Sequence, residues 1–492
     1  MDHHSWRIWK EDRACVAEGL KQGEQFDAYA SAFGENDLII GFMIVDGFWD
    51  ILRDIEADLL KKENGYPPRT LNILWTLCEL AQVGRIAHAG KVIGDQALLR
   101  IAGFQAEQLE SAMAKRKNQI DPETLSNHMA RISEASVKDS LWKHVRLLRQ
   151  KRWYRGGIYA VDAHEITIPY GMVENYEGAQ KVGNKCGYKL VVIINVESGQ
   201  ERIIAWALAG LARSEKTLLK KLLAELTEQF GRLGDWMKLL LLDRGYWGAE
   251  LLTELKYTHG VDYVTRAGND ELDMVEDIEG LLKMPKIQWH IRQEESSKYG
   301  QIRFKACAIN QVEMRPSKPI PRGVCNVVVG DFFDINGQPL PDHDRCYYAT
   351  SLFVNPQVAQ SVFTSRDYYR KRWTIENQGF WVLTQRWNLD TLLSRSSHSI
   401  RARLNFVLQL YNIENCCAWK HPGSYDQELH HLRRPVTGER LGRPSIMVYS
   451  GKGIMGAFQA KEYTRLIKES IKHEIVKALR AGEDIEDVLN RI

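Results

Sequence analysis

Between residues 157 and 268, apolar β-branched runs and amphipathic runs follow one another in an order that few architectures accommodate. GIYAVDAHEITI (157–168), YKLVVIINVES (188–198) and RIIAWALAG (202–210) read as three strands separated by turn residues. SEKTLLKKLLAELTEQFGRLG (214–234) then has helical periodicity with Ser214 at its start, and KLLLLDRGYWG (238–248) holds a short, wholly apolar strand that ends in Asp243. A further helix, GAELLTELKYTHG (248–260), leads to the strand VDYVTRAG (261–268). Three consecutive strands favour antiparallel pairing. Strands separated by crossing helices favour parallel pairing. The order therefore predicts an α/β fold, a mixed sheet flanked by helices.

The flanking regions differ. Residues 10–150 carry helical periodicity throughout, broken at NGYPPR (64–69), at Gly90 and Gly94, and at IDPE (120–123), which predicts an all-α region. FQAEQLESAMAKRKNQ (104–119) is followed by Asp121 as helix cap and Pro122 at the first helical position of DPETLSNHMARISE. This pair fits a helix-turn-helix, and a plain helical hairpin at least as well; in the first, Ser126, Asn127 and Arg131 face DNA. KHVRLLRQKRWYR (143–155), which includes Lys151 and Arg152, has six cations and no acid, a pattern suited to a phosphate backbone or to a solvated linker helix. Residues 270–345 read as short strands, CYYATSLFV (346–354) as a buried strand, and 457–481 as a helix with one apolar face, suited to packing within the chain or against a second subunit.

Total charge is uninformative: 66 Lys and Arg against 63 Asp and Glu leave +3. Eight cysteines without a CxxC pair, two of them adjacent at 416 and 417, predict reduced thiols. The start MDHHSWRIWKEDRA lacks an apolar signal core, and LIIGFMIV (38–45) is far shorter than the ~20 residues that span a bilayer, so neither export nor membrane association is expected. His3 and His4 read as part of a polar terminus.

Asp162 follows the apolar YAV of the first strand, and Asp243 follows four leucines. A carboxylate so placed is costly unless it is paired, protonated or bound to a cation, and its structural reading is a cap on the next helix or turn. In YYRKRWTIENQGF (368–380), Tyr369, Arg372 and Glu376 are spaced three and then four residues apart, one face of an α-helix. An exposed Arg–Glu pair of this kind is by itself worth little. Taken with Asp162 and Asp243, Glu376 completes three hard oxygen donors without His or Cys nearby, a set that suits Mg2+ or Mn2+. Two such ions, roughly 3.5–4 Å apart, would serve phosphoryl transfer, with Arg372 and Tyr369 facing phosphates.

Three segments resemble a DDE transposase of the insertion-sequence-four family. VDAHEI supplies the first Asp as Asp162, LLLLDRGYW the second as Asp243, and Tyr369, Arg372 and Glu376 match the Tyr, Arg and Glu of the Tyr-Arg-Glu-Lys signature. The likeness spans residues 155–415. The signature's Lys falls on Leu383, and Arg386 is the next cation. The resemblance implies an RNase H-like catalytic core in two parts, 151–268 and 346–420, around a β-rich insertion subdomain (269–345). It further implies an all-helical DNA-end-binding domain (1–150) and a basic, helical C-terminal region (421–492) with a dimerisation role. Asp162, Asp243 and Glu376 are then the catalytic metal ligands, and Tyr369, Arg372, Arg386, Arg244, Lys151, Arg152 and Arg131 the DNA contacts. His164 reads as packed or solvated, with substrate contact as the alternative. The implied partner is double-stranded DNA, at terminal inverted repeats and at the target, bound by a homodimer in the bacterial cytoplasm at the nucleoid. A metal-dependent DNA nuclease and a domesticated, non-catalytic DNA-binding protein are the competing readings.

Overall fold

The computed structural model describes residues 10–31, 36–58, 66–101, 121–153, 157–197, 199, 201–267, 272–314, 323–341, 343–421, 445–450 and 453–481. The chain forms two compact units, one of Arg152–Val382 and one of Met1–Lys151 with Leu383–Ile492.

The Arg152–Val382 unit is built on one large mixed sheet. Its strands are β1 (Ile158–Thr167), β2 (Gln180–Val182), β3 (Lys185–Asn195), β4 (Ile203–Gly210), β5 (Leu239–Leu242), β6 (Asp262–Ala267), β7 (His290–Ser296), β8 (Gly300–Glu313), β9 (Val324–Phe333) and β10 (Cys346–Thr350). Along the sheet they run β2-β3-β1-β5-β6-β10-β9-β8-β7, with β4 paired to β3. β1, β3 and β4 pair antiparallel, whereas β1, β5 and β6 are parallel. All four residues of β5 are buried, as expected of a parallel strand covered on both faces. The helix before it, Glu215–Phe230, buries Leu218, Leu219, Leu222, Leu223 and Leu226, a single stripe at helical spacing.

The stretch predicted as a separate β-rich insertion continues this sheet: β10 pairs with β6 on one side and β9 on the other, and β8 and β7 extend it. It also contains a helix, Leu272–Leu282, that the reading of short strands omits. Whether such strands form their own sheet depends on what β10 pairs with across a long sequence interval, which local patterning does not carry.

The other unit is helical at its centre. The helix Ser397–Lys420 is buried along most of its length and bonds to Glu134–Gln150 through Asn405 Nδ2, which donates to Ser140 Oγ at 2.7 Å. Arg403 Nε donates to Glu79 Oε1 at 3.0 Å, and each of these side chains is 5% exposed. The prediction of an all-α N-terminal region is incomplete. Lys10–Glu11 and Asp27–Ser31 are strands, and together with Ser445–Tyr449 and Ile454–Gln459 they form a four-stranded sheet. DAYAS is a weak strand on propensity; it is held by partners more than four hundred residues away, Ser31 opposite Ser445 and Asp27 opposite Tyr449. The final helix, Ala460–Arg480, turns Leu466 into a cluster with Val16, Leu20, Val448 and Phe458, with Tyr463 and Ile467 packed against it, so the first half of its apolar face is covered within the chain.

All eight cysteines are free, seven of them buried. No described helix is long and apolar enough to cross a membrane.

Candidate active site

Register creates the site. β1 and β5 run parallel with Val161 opposite Leu242, so the next residue on each strand, Asp162 and Asp243, emerges at the same edge of the sheet. Asp162 stays within β1 with its side chain 16% exposed, whereas Asp243 follows the last residue of β5 and is 41% exposed. Behind Asp243, the chain turns tightly: the amide of Tyr246 donates to the carbonyl of Asp243 at 3.0 Å.

The third carboxylate comes from the helical segment after β10. An α-helix, Ala359–Lys371, ends at Arg372, and Ile375–Phe380 continue as a π-turn that contains Glu376. The single uninterrupted α-helix predicted from the spacing of Tyr369, Arg372 and Glu376 is thus broken in its middle. π-Turns of this kind recur at functional sites. Within it Gly379 and Phe380 are buried, and the Phe380 ring stacks on His164 of β1 with centroids 5.0 Å apart. His164 is a packed residue.

Arg372 joins the three acids. Its Nη1 donates to Asp162 Oδ2 at 3.0 Å and to Glu376 Oε1 at 2.7 Å, and its Nη2 lies 3.5 Å from Asp243 Oδ1. Tyr369 adds a hydroxyl that donates to Asp243 Oδ1 at 3.1 Å, and its ring lies beneath the guanidinium, 5.5 Å from it. Burial pushes the Asp162 carboxyl up to about 6; the Ala163 amide and Arg372 work against this, and Asp243 and Glu376 add to it. Burial and the negative charge of Asp243 push the Tyr369 phenol up to about 12, so it acts as a donor at neutral pH. Burial opposes the charge on Arg372 as well, but Asp243, Tyr369, Asp162 and Glu376 outweigh it and its pKa lies above the ordinary value.

Tyr246, in the turn after Asp243, is a residue of the site that the spacing of the acids does not point to. Its ring is fully buried behind the aspartates, its hydroxyl has no hydrogen-bond partner among the described residues, and burial together with the charges of Glu215, Asp162 and Asp243 raises its pKa. A tyrosine three residues beyond an aspartate that ends an apolar strand was the available signal.

The other predicted contacts are divided between the two units. Arg244 is exposed beside Asp243, and Arg152 is exposed with a positive φ of 54°. Arg131, Lys151 and Arg386 belong to the other compact unit. There Lys151 Nζ donates to Asp46 at 2.7 Å, sharing that carboxylate with Lys420. Leu383, at the position of the signature's Lys, is fully buried. Helix Pro122–Met129 has the Asp121 cap that the sequence predicts; its proposed companion, residues 104–119, and the basic run 430–444 lie outside the described residues, as do His3 and His4.

A family profile described as a transposase DDE domain matches residues 153–413, a stretch that contains both aspartates, Tyr369, Arg372 and Glu376. The chain belongs to the DDE transposase family. No curated protein matches it. Among solved structures it is similar to the cryo-EM structure of a piggyBac transposase synaptic complex with hairpin DNA, at 9% identity and a TM-score of 0.29, over 82% of this chain and 86% of that one.

The acids of this DDE transposase have the chemistry of a metal site. Three carboxylates, two of them on register-matched strands, gather at one edge, a donor set suited to a hard divalent ion. They are arranged around a guanidinium: among the described residues no three His, Cys, Asp or Glu side chains approach one another closely enough to hold an ion as they stand. The donors fit a metal in kind and number, and a cation already lies at their centre.

Proposed function

We propose that this DDE transposase cleaves DNA at the ends of an insertion element of the insertion-sequence-four type and transfers the freed strand to a target. Asp162, Asp243 and Glu376 hold the catalytic metal. The observation that carries the reading is the convergence of these three acids on Arg372 at one edge of the sheet, inside the matched segment. The strand order β4-β3-β1-β5-β6, antiparallel and then parallel, supports an RNase H-like core.

Two Mg2+ or Mn2+ ions bound by the carboxylates would supply activation of the attacking oxygen and neutralisation of the departing one. The protein's own groups supply the rest. Asp162 and Asp243 hold their positions because they continue a rigid parallel pair. Tyr369 orients Asp243 through its hydroxyl. Arg372, with Arg244 exposed next to Asp243, offers charge to the phosphate on which negative charge accumulates during displacement. In the other unit, the basic helix that ends at Lys151 and the segment that begins with Pro122 are assigned to binding of the element's terminal repeats, with a homodimer bringing two ends together.

A strand-transfer assay tests this reading. The purified chain, a duplex carrying the terminal sequence that flanks its gene, and Mg2+ are expected to yield joined products. Cutting without joining would demote the chain to a nuclease, and duplex binding without cutting to a DNA-binding protein.

A further inference from the structure

Arg372 sits where a divalent ion would sit. Its guanidinium contacts oxygens of all three carboxylates, at 3.0, 2.7 and 3.5 Å, and the residue is 6% exposed. A resident cation and an incoming one drawn to the same oxygens repel each other, and a half-buried site screens that repulsion poorly. The seat is also incomplete for the arginine: its Nε is buried with no hydrogen-bond partner among the described residues. A buried donor left unmade is costly, so this position is not the best-satisfied one a guanidinium can find. Arg372 lies at the junction between the α-helix that ends at Lys371 and the π-turn that starts at Ile375, where the regular backbone ladder is interrupted.

The geometry points to Arg372 as an internal counter-ion that couples DNA engagement to metal loading: a DNA phosphate that draws the guanidinium away frees Asp162, Asp243 and Glu376 to take divalent ions. Without DNA, one positive charge tethers three negative ones and competes with the metal. With a phosphodiester on Arg372, the acids are left uncompensated and their affinity for a cation rises. By linkage, the metal raises the affinity for DNA by the same factor. This coupling would keep the site weakly loaded until a DNA end is bound. It rests on the reading of the three acids as the metal site.

Mn2+ binding to the full chain, followed by the electron paramagnetic resonance of the free ion, tests it without any measure of activity. Arg372→Gln keeps the polar stem and removes the charge; it is expected to bind Mn2+ about tenfold tighter than the unsubstituted chain, within the usual range of coupling between sites. Arg372→Lys, which retains the charge, is expected to stay close to the unsubstituted affinity. A short DNA duplex at saturation is expected to tighten Mn2+ binding by the unsubstituted chain and to leave Arg372→Gln unchanged. Equal or weaker binding by Arg372→Gln, with binding still lost in the Asp162→Asn, Asp243→Asn, Glu376→Gln triple variant, overturns the counter-ion role and leaves the metal site standing. Unaltered binding by the triple variant removes the metal site and the inference together. If Arg372→Gln does not fold, the duplex experiment on the unsubstituted chain decides: Mn2+ affinity indifferent to DNA overturns the proposal.

Discussion

Val161 and Leu242 face each other across two parallel strands, and each is followed immediately by an aspartate. Eighty residues of intervening chain thus return to within one strand spacing, about 4.8 Å. Neither aspartate can be moved by one position without turning to the opposite face of the sheet, because side chains alternate along a strand. The pair is a property of register, and register is held by the apolar residues that precede it.

Each of Asp162→Ala, Asp243→Ala and Glu376→Ala is expected to lower Mg2+-dependent cleavage by at least about a thousandfold, the upper scale for loss of one preorganised group. Binding to a duplex should remain measurable by mobility shift in all three. Cleavage at the unsubstituted rate in any one would remove that residue from the site.

In metal-free buffer, Asp162 makes stability depend on pH. Its folded pKa of about 6 lies above the ordinary 3.8, so between these values the folded chain keeps a proton that the unfolded chain has released. Stability contributed by this group therefore falls as pH rises from about 4 to about 6, by on the order of 3 kcal/mol. Asp162→Asn is expected to flatten that part of the profile, read from urea midpoints at several pH values; a profile parallel to the unsubstituted one would contradict the burial argument.

Tyr246→Phe removes a buried hydroxyl that has no hydrogen-bond partner among the described residues while leaving the ring packed. Stability should stay level or rise by about 1 kcal/mol, since the lost group is one that folding desolvates without return. Chemical unfolding measures it. A loss of more than that would mean the hydroxyl is bonded in solution.

Glu79 and Arg403 form a buried pair in the second unit, and burial raises the pKa of Glu79 against the pull of Arg403. Arg403→Met leaves a buried carboxylate without its partner and should cost roughly 3–5 kcal/mol at neutral pH. Adding Glu79→Met is expected to recover most of that loss. Additive destabilisation in the double variant would show that the two side chains do not act as a pair.

What the sequence determined was local. The β-branched runs, the leucine stripe of 218–226, the four leucines before Asp243 and the Asp121 cap each follow from periodicity and side-chain chemistry within a few residues, and each forms the element read from it. The family followed from three short segments for the same reason, since the residue types alone carry the chemistry. Tertiary structure decided the rest. That DAYAS becomes a strand, that the β-rich stretch extends the main sheet, and that Ala460–Arg480 packs Leu466 against Val16 and Leu20 all depend on partners distant in sequence. The same holds at the site: spacing placed Tyr369, Arg372 and Glu376 on one helix face, but only the folded chain shows the helix breaking at Arg372 and the guanidinium occupying the centre of the acids. Local preference fixes an element's type at short range, whereas charges and strand edges find their partners only once hydrophobic burial has brought distant segments together.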